Sequence, residues 1–330
     1  MELSIIVPCY RVARYLSACL DSVCVLPPEQ VEILCVDDAS PDDCAGILAR
    51  YAARYPHIAV HTHAANAGLS AARNTGLAHA RGTYVLFLDS DDLLCTDAVL
   101  PLLAQARTEN LDILQAAYAL FDDATGSPRP APRMAEVTPV LTGDACFAQQ
   151  CAQGCYEPMT VIRLYRRGFL AEHGLRMAEG FLFEDELFTA PAFLCAQRAQ
   201  VSSRLLYRYR QRAGGIMDGF GASADWCGHY LRIAQELTAR CAAADTPGTR
   251  ALRRRAAQIA LSIPKNIVAY GLTGPVRAAA LAFARAHRRE ICALARHSGS
   301  AAAHAQGLLL AVAPGLFLRG YGLARRGLKK

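Results

Sequence analysis

The 330-residue sequence has no run of about 18 uninterrupted apolar residues, so no transmembrane helix is expected. Strand-like sequence begins at Leu3, too early for a basic segment and an apolar stretch to precede it, so no export signal is expected either. The thirteen cysteines are scattered, and only Cys151 and Cys155 are close, with no second pair to complete a zinc site. They read as reduced cytosolic thiols acting as small hydrophobes. No G-x-G-x-x-G follows the first strand, which disfavours a dinucleotide-dependent dehydrogenase. Pro8-Cys9-Tyr10-Arg11 also lacks the glycines of a triphosphate-binding loop, which disfavours a sugar nucleotidyltransferase. There is no internal repeat and no low-complexity tract.

What is present is apolar and unevenly charged. A hydrophobic fraction of 53% with 19% charged residues supports a sizeable core, and the length fits one large or two modest domains. Residues 1–200 hold 14 Lys+Arg against 24 Asp+Glu, a net of −10, whereas residues 201–330 hold 21 against 5, a net of +16. The asymmetry predicts an acidic part able to hold a cation and a basic part that meets something anionic.

The first 120 residues alternate strand and helix patterns. Leu3 to Val7, Val31 to Val36, Ile58 to His61 and Tyr84 to Leu88 read as strands. Ser40-Pro41-Asp42-Asp43 reads as the start of a helix with Ser40 as its cap, and Leu69 to Ala80 as an alanine-rich helix. This alternation predicts a mostly parallel sheet with both faces covered and a ligand beyond the carboxyl ends of its strands. Thr125 to Pro139, with four prolines, reads as an exposed connection. An irregular α+β stretch follows to about Tyr209, and from Ser223 the chain reads as helical.

Three acidic or aromatic strand ends carry the chemistry. Leu88-Asp89-Ser90-Asp91-Asp92 places three carboxylates after an apolar strand, where they repel one another unless a cation joins them. Hard oxygen ligands beside phosphates suit Mg²⁺ or Mn²⁺, although a loop of helix-capping aspartates explains the same residues. Val36-Asp37-Asp38-Ala39-Ser40 is a second acidic end, of which one aspartate can cap the following helix. Val7-Pro8-Cys9-Tyr10 supplies an aromatic. On one rim of a parallel sheet these would offer a uridine diphosphate a stacking face, an acceptor for the base and a cation for the phosphates.

Together with Asn66-Ala67-Gly68-Leu69-Ser70-Ala71-Ala72-Arg73-Asn74-Thr75-Gly76, these segments follow in an order and spacing that resemble the family 2 glycosyltransferases. The resemblance extends to about Met217 and implies the GT-A fold, a Rossmann-like α/β architecture with a mixed, mostly parallel sheet flanked by helices and followed by a helical C-terminal extension. It divides the chain into a catalytic domain, 1–217, with a nucleotide-sugar half (1–120) and an acceptor half (121–217), and a basic helical region, 218–330. By the same resemblance Pro8 and Tyr10 line the nucleobase pocket, Asp38 accepts from the uracil, and Arg73 contacts the nucleotide. Asp89 faces the ribose, Asp91 binds the metal and Asp92 supports it. Asn66 and Asn74 serve turn formation and helix capping as readily as ligand contact.

Gly180-Phe181-Leu182-Phe183-Glu184-Asp185-Glu186 sets three carboxylates in an apolar stretch, where burial raises a carboxyl pKa toward that of a general base. The resemblance assigns the base to Asp185, with Glu184 beside it; a helix N-terminus, which favours acids, accounts for Glu184 and Glu186 as well. A base-activated hydroxyl attacking the sugar inverts the anomeric centre. Leu206 to Met217, alternating Tyr and Arg, resembles the family segment over the diphosphate, so Arg210 and Arg212 are expected to neutralise the leaving group. The processive synthases of the family carry Gln-x-x-Arg-Trp, and the single tryptophan, Trp226, is not in that setting; one sugar per encounter is expected.

The implied partners are a nucleotide-sugar donor and a glycan or lipid-linked saccharide acceptor. Gly307 to Leu318 is a 12-residue apolar run broken by Pro314 and followed by Arg319, Arg325, Arg326, Lys329 and Lys330, with Tyr321 between. It is too short to cross a bilayer but suits an anionic membrane surface, so the expected location is cytoplasmic with peripheral attachment to the inner face of the plasma membrane. A helix packed on the protein with a solvated basic end explains the same segment. Nucleic acid is not expected as a partner, because no recognition motif accompanies the basic face. The remaining alternative is a non-catalytic nucleotide-sugar-binding protein of this fold, against which Asp89, Asp91 and Asp185 argue.

Overall fold

Leu3–Cys9 is buried at every position and forms β1, a strand apolar but for Ser4, as a sheet covered on both faces requires. The structure is a computed structural model that describes residues 1–130, 133–212, 223–241 and 244–327, without the side chains of residues 326 and 327. These residues fall into two compact units, one ending at Arg212 and the other made by the residues beyond it. The expected boundary near Met217 lies outside the described residues, as do Pro132, Lys329 and Lys330.

In the first unit β2 (Val31–Asp37), β3 (Ile58–Thr62), β4 (Tyr84–Phe87), β5 (Leu93–Leu94), β6 (Ile113–Asp122), β7 (Arg163–Arg166) and β8 (Ala199–Gln211) complete one eight-stranded sheet. Its order is β3-β2-β1-β4-β7-β6-β8-β5. The four N-terminal strands run parallel, β7 runs antiparallel to its neighbours β4 and β6, and β8 returns parallel to β6. This is the mixed, mostly parallel sheet expected. Register places Cys9 opposite Asp37 and Ile6 opposite Phe87, so the ends of β1, β2 and β4 share one rim.

The helices of this unit are α1 (Ala13–Asp21), α2 (Cys44–Arg54), α3 (Leu69–His79), α4 (Thr96–Thr108), α5 (Gly143–Gln153), α6 (Arg167–Glu172) and α7 (Asp185–Cys195). Helix α3 packs against β1 through Gly76, where an added Cβ would stand 2.3 Å from Ile6 Cγ2. Helix α2 begins at Cys44 rather than at the expected Ser40. The reason is local: the Asp42 carboxylate accepts the Cys44 N–H and also the Ala13 N–H, while the Ser40 hydroxyl donates to Asp42 instead of capping.

The regular elements among the described residues of the second unit are all helices: α8 (Trp226–Ala239), α9 (Pro247–Ala269), α10 (Gly274–Ala286), α11 (Arg288–His297), α12 (Ala301–Val312) and α13 (Pro314–Gly327). Thr246 and Thr249 form a capping box at the start of α9, with Pro247 at the first helical position. Leu310 and Phe317 are buried, whereas Leu308, Leu309, Val312, Leu316 and Leu323 are exposed, so α12 and α13 each pack one face and leave apolar side chains on another. Among the described residues no helix is long and apolar enough to cross a membrane.

Candidate active site

The rim is built from backbone that bends out of the sheet under strain. Arg11, Ala39 and Phe183 have φ of 54°, 54° and 64°, values that cost a non-glycine residue on the order of 1–3 kcal/mol each. They follow Tyr10, follow Asp38 and precede Glu184, so the strain sits beside the residues of interest. Pro8 is buried inside β1, and Tyr10 is 38% exposed with the Arg11 guanidinium 5.3 Å from its ring centroid.

Asp38 is differently employed than expected. Each of its carboxylate oxygens accepts two hydrogen bonds: Oδ1 from Ala67 N and the His63 ring, Oδ2 from Asn66 Nδ2 and Gly68 N, all within 2.6–2.8 Å. With the residue 2% exposed, these four bonds occupy the lone pairs that a base N–H would need. Asp38 therefore clamps the loop that enters α3, and Asn66 is part of that clamp. Gly68, at φ 91° and ψ 166°, takes a conformation reserved for glycine. Asp37 accepts the Ser40 N–H in the turn ahead of α2, so neither aspartate of the pair caps that helix as expected.

Arg73 is likewise not free to meet a nucleotide. Its side chain is 2% exposed and is shared among three carboxylates: Nη2 to Asp89 at 2.7 Å, Nη1 to Glu184 at 2.8 Å and to Asp185 at 3.4 Å. Burial works against the guanidinium charge, but the three carboxylates outweigh it and raise its pKa. Arg73 thus joins the end of β4 to the start of α7.

Glu184 stands at the N-cap position of α7 without a side-chain capping bond, and Asp185 opens the helix. Burial, then the Asp185 charge, pushes the Glu184 carboxyl up to about 7, with Arg73 pulling the other way. Burial also raises Asp185, opposed by Arg73 and by the hydroxyl of Thr160, which donates to Asp185 Oδ1. The Asp185 side chain keeps 25% of its surface, so the carboxylate is both perturbed and reachable.

The three aspartates after β4 do not converge on one point. Asp89 turns to Arg73; Asp91 accepts from Arg212 Nε at 2.7 Å; Asp92, 2% exposed, accepts the Tyr207 hydroxyl and the Arg210 N–H, each at 2.6 Å. Burial first, then Asp91 and Asp89, raises the Asp92 carboxyl well above the usual range. Among the described residues no three His, Cys, Asp or Glu side chains gather to hold a metal ion. The donor set nevertheless fits Mg²⁺ or Mn²⁺ brought with a diphosphate, because such ions use one or two carboxylates and take the rest from phosphate and water. Asp91 and Asp89, 24% and 27% exposed, are the carboxylates that meet this requirement.

Arg210 is held by Asp91 O at 2.6 Å and Asp123 at 3.0 Å, and both Arg210 and Arg212 lie about 5 Å from the Tyr15 ring centroid. Tyr15, Asp123, Thr160 and Tyr207 are site residues that the sequence reading missed. Each belongs to an ordinary helix, turn or strand pattern and acquires its role through contacts at large sequence separation.

This geometry, with an aromatic and acidic rim on a mixed sheet and a Glu-Asp pair delivered by a later helix, accompanies a match of residues 4–174 to the family described as glycosyl transferase family 2. The chain belongs to glycosyl transferase family 2. It is 33% identical over 220 residues to the uncharacterized glycosyltransferase EpsJ of Bacillus subtilis, covering 65% of this chain and 62% of that protein. It is 29% identical over 219 residues to the poly(ribitol-phosphate) beta-glucosyltransferase of Bacillus spizizenii, covering 65% and 33%. The family member described here thus spans no more than about three fifths of these relatives' lengths. The crystal structure of Staphylococcus aureus TarS 1–349 in complex with UDP-GlcNAc has a TM-score of 0.74 and covers 99% of this chain and 92% of that one at 23% identity. The shared architecture is the GT-A fold.

Proposed function

We propose that the chain is an inverting, metal-dependent glycosyltransferase that moves a hexosyl or N-acetylhexosaminyl group from a UDP-sugar to a hydroxyl of a glycan or lipid-linked saccharide in cell-surface polysaccharide synthesis. The observation that carries this reading is the Arg73 bridge, which sets Asp185 beside the donor rim marked by Asp89. Asp185 takes the proton from the acceptor hydroxyl as its oxygen forms a bond to the anomeric carbon. The bond from that carbon to the diphosphate oxygen breaks on the opposite face, so an α-linked donor gives a β-glycoside.

Tyr10 and Pro8 line the base pocket, and Asp38 shapes that pocket by holding the 66–68 loop rather than by touching the base. Asp91, with Asp89, would hold Mn²⁺ or Mg²⁺, which when bound neutralises charge on the departing diphosphate. Arg212 sits on the same edge with the same sign of charge. The TarS crystal structure with UDP-GlcNAc and a Pyrobaculum calidifontis mannosyltransferase crystallised with GDP-Man and Mn²⁺ support the choice of donor class and of ion.

Peripheral attachment to the inner face of the plasma membrane belongs to the same proposal. Residues 246–330 contain Glu290 as their one acidic residue against fifteen Lys+Arg, and the exposed apolar side chains of α12 and α13 stand among them. Apolar anchors with basic neighbours suit anionic lipid.

The test is release of nucleoside diphosphate from a panel of nucleotide sugars with mixed saccharide acceptors, with and without Mn²⁺. Turnover that needs Mn²⁺ and is lost in Asp91→Ala is expected; full activity of Asp91→Ala would overturn the metal role.

A further inference from the structure

Arg212 and Arg210 face the same aromatic ring but are held very differently. Arg210 is fixed by its backbone N–H on Asp92, its Nε on Asp91 O, its Nη1 on Asp123 and its stacking over Phe121 and Tyr15. Arg212 is the last described residue before position 223, and its ion pair is with one carboxylate, the 2.7 Å contact from Nε to Asp91 Oδ2. That carboxylate is the one the proposed function gives to the divalent cation. A cation is therefore already seated on the metal ligand.

We infer that Arg212 is a resident counter-ion for Asp91 that the divalent cation must displace, and that the incoming diphosphate makes the exchange favourable by accepting the displaced guanidinium. Two positive groups on one carboxylate repel, so metal alone meets a site already neutralised. A diphosphate brings at least two negative charges and a planar fork of acceptors that a guanidinium matches. Once it is bound, Asp91 can serve the metal while Arg212 serves the phosphates. Metal and nucleotide then bind cooperatively, and the coupling is reciprocal by linkage. Arg212 is in this account a positioning residue that sets the order of binding. Arg210, tied to Asp123 and to the backbone of Asp91, stays in place throughout.

The inference rests on the metal role of Asp91, and the experiment separates the two. Mn²⁺ binding to the full chain is measured by the loss of the free-ion EPR signal, with and without UDP, for the native protein, Arg212→Gln, Arg212→Lys and Asp91→Asn. The native protein should bind Mn²⁺ at least about tenfold more tightly with UDP than without, the lower part of the range typical of coupled sites. Arg212→Gln should bind Mn²⁺ alone about tenfold more tightly than the native protein, and the enhancement by UDP should shrink correspondingly. A merely structural residue would not tighten metal binding when removed. Arg212→Lys keeps a charge on Asp91 and should resemble the native protein in the metal-only measurement, which guards against a general effect of substitution. If Arg212→Gln binds Mn²⁺ no more tightly than the native protein while Asp91→Asn abolishes UDP-dependent binding, the exchange is wrong and the metal role of Asp91 stands. If Asp91→Asn binds Mn²⁺ with UDP as well as the native protein does, the metal role itself is overturned, and the exchange with it.

Discussion

Arg73 and Asp185, 112 positions apart in the chain, lie within 3.4 Å of each other, and the same guanidinium holds Asp89 at 2.7 Å. The proposed base is therefore not an isolated carboxylate but one member of a charge cluster anchored by a buried arginine. Burial raises its proton affinity, and Arg73 opposes that rise and so favours the ionised form that a base requires.

This predicts a pH signature for Arg73. The deprotonated form of Asp185 is the active one, so kcat/KM should fall as pH drops through its pKa. Arg73→Met removes the group that lowers that pKa, so the acid limb of the profile should move to higher pH, while Arg73→Lys should move it less. A profile that falls in height without moving along the pH axis would contradict the assignment.

Glu184 gives a prediction in stability. Its folded-state pKa, about 7, lies above the ordinary value of about 4.3, so folding favours the protonated form. The stability this contributes is complete below about pH 4 and is lost as pH rises through about 7. Glu184→Gln cannot titrate, so its melting temperature, followed from pH 5 to 8, should decline less with rising pH than that of the native protein. A steeper decline in the variant would show that the ionised form is the one favoured by folding.

Asp38 separates a clamp from a base contact. Asp38→Ala strips four donors of their acceptor, and buried polar groups left unpaired cost roughly 1–3 kcal/mol each, offset where water enters. The variant should lose at least about 2 kcal/mol in denaturant unfolding and bind UDP weakly. Native stability with weakened UDP binding would return Asp38 to direct contact with the base.

The sheet and the position of its rim were legible because buried parallel strands leave mainly apolar runs, as in Ile5–Val7 of β1 and Ile33–Val36 of β2. Spacing also brought out the chemically loaded positions Asp89, Asp91, Glu184 and Asp185. What the spacing could not show is which partner each charge takes. Asp38 and Arg73 look like ligand-contacting residues, but both are engaged by protein groups that join them only in three dimensions. The roles of Thr160 and Tyr207 carry no sequence signal, since a hydroxyl on a buried turn or strand becomes functional only when a distant carboxylate folds against it.

The second unit has its own test. Replacing Leu308, Leu309 and Val312 with serine adds polar groups to an already exposed face, 83% exposed at Val312, and should leave folding intact. Flotation with vesicles containing phosphatidylglycerol should then fall several-fold relative to the native protein, with little binding to neutral vesicles in either case. Unchanged flotation would remove this face from the membrane contact.

The central claim is that Asp185 is the base of an inverting transfer. Its most direct test is the rate of sugar transfer by Asp185→Asn at saturating donor, acceptor and Mn²⁺. A fall of about 10²- to 10⁴-fold with UDP binding retained is expected; transfer within a few-fold of the native rate would contradict it.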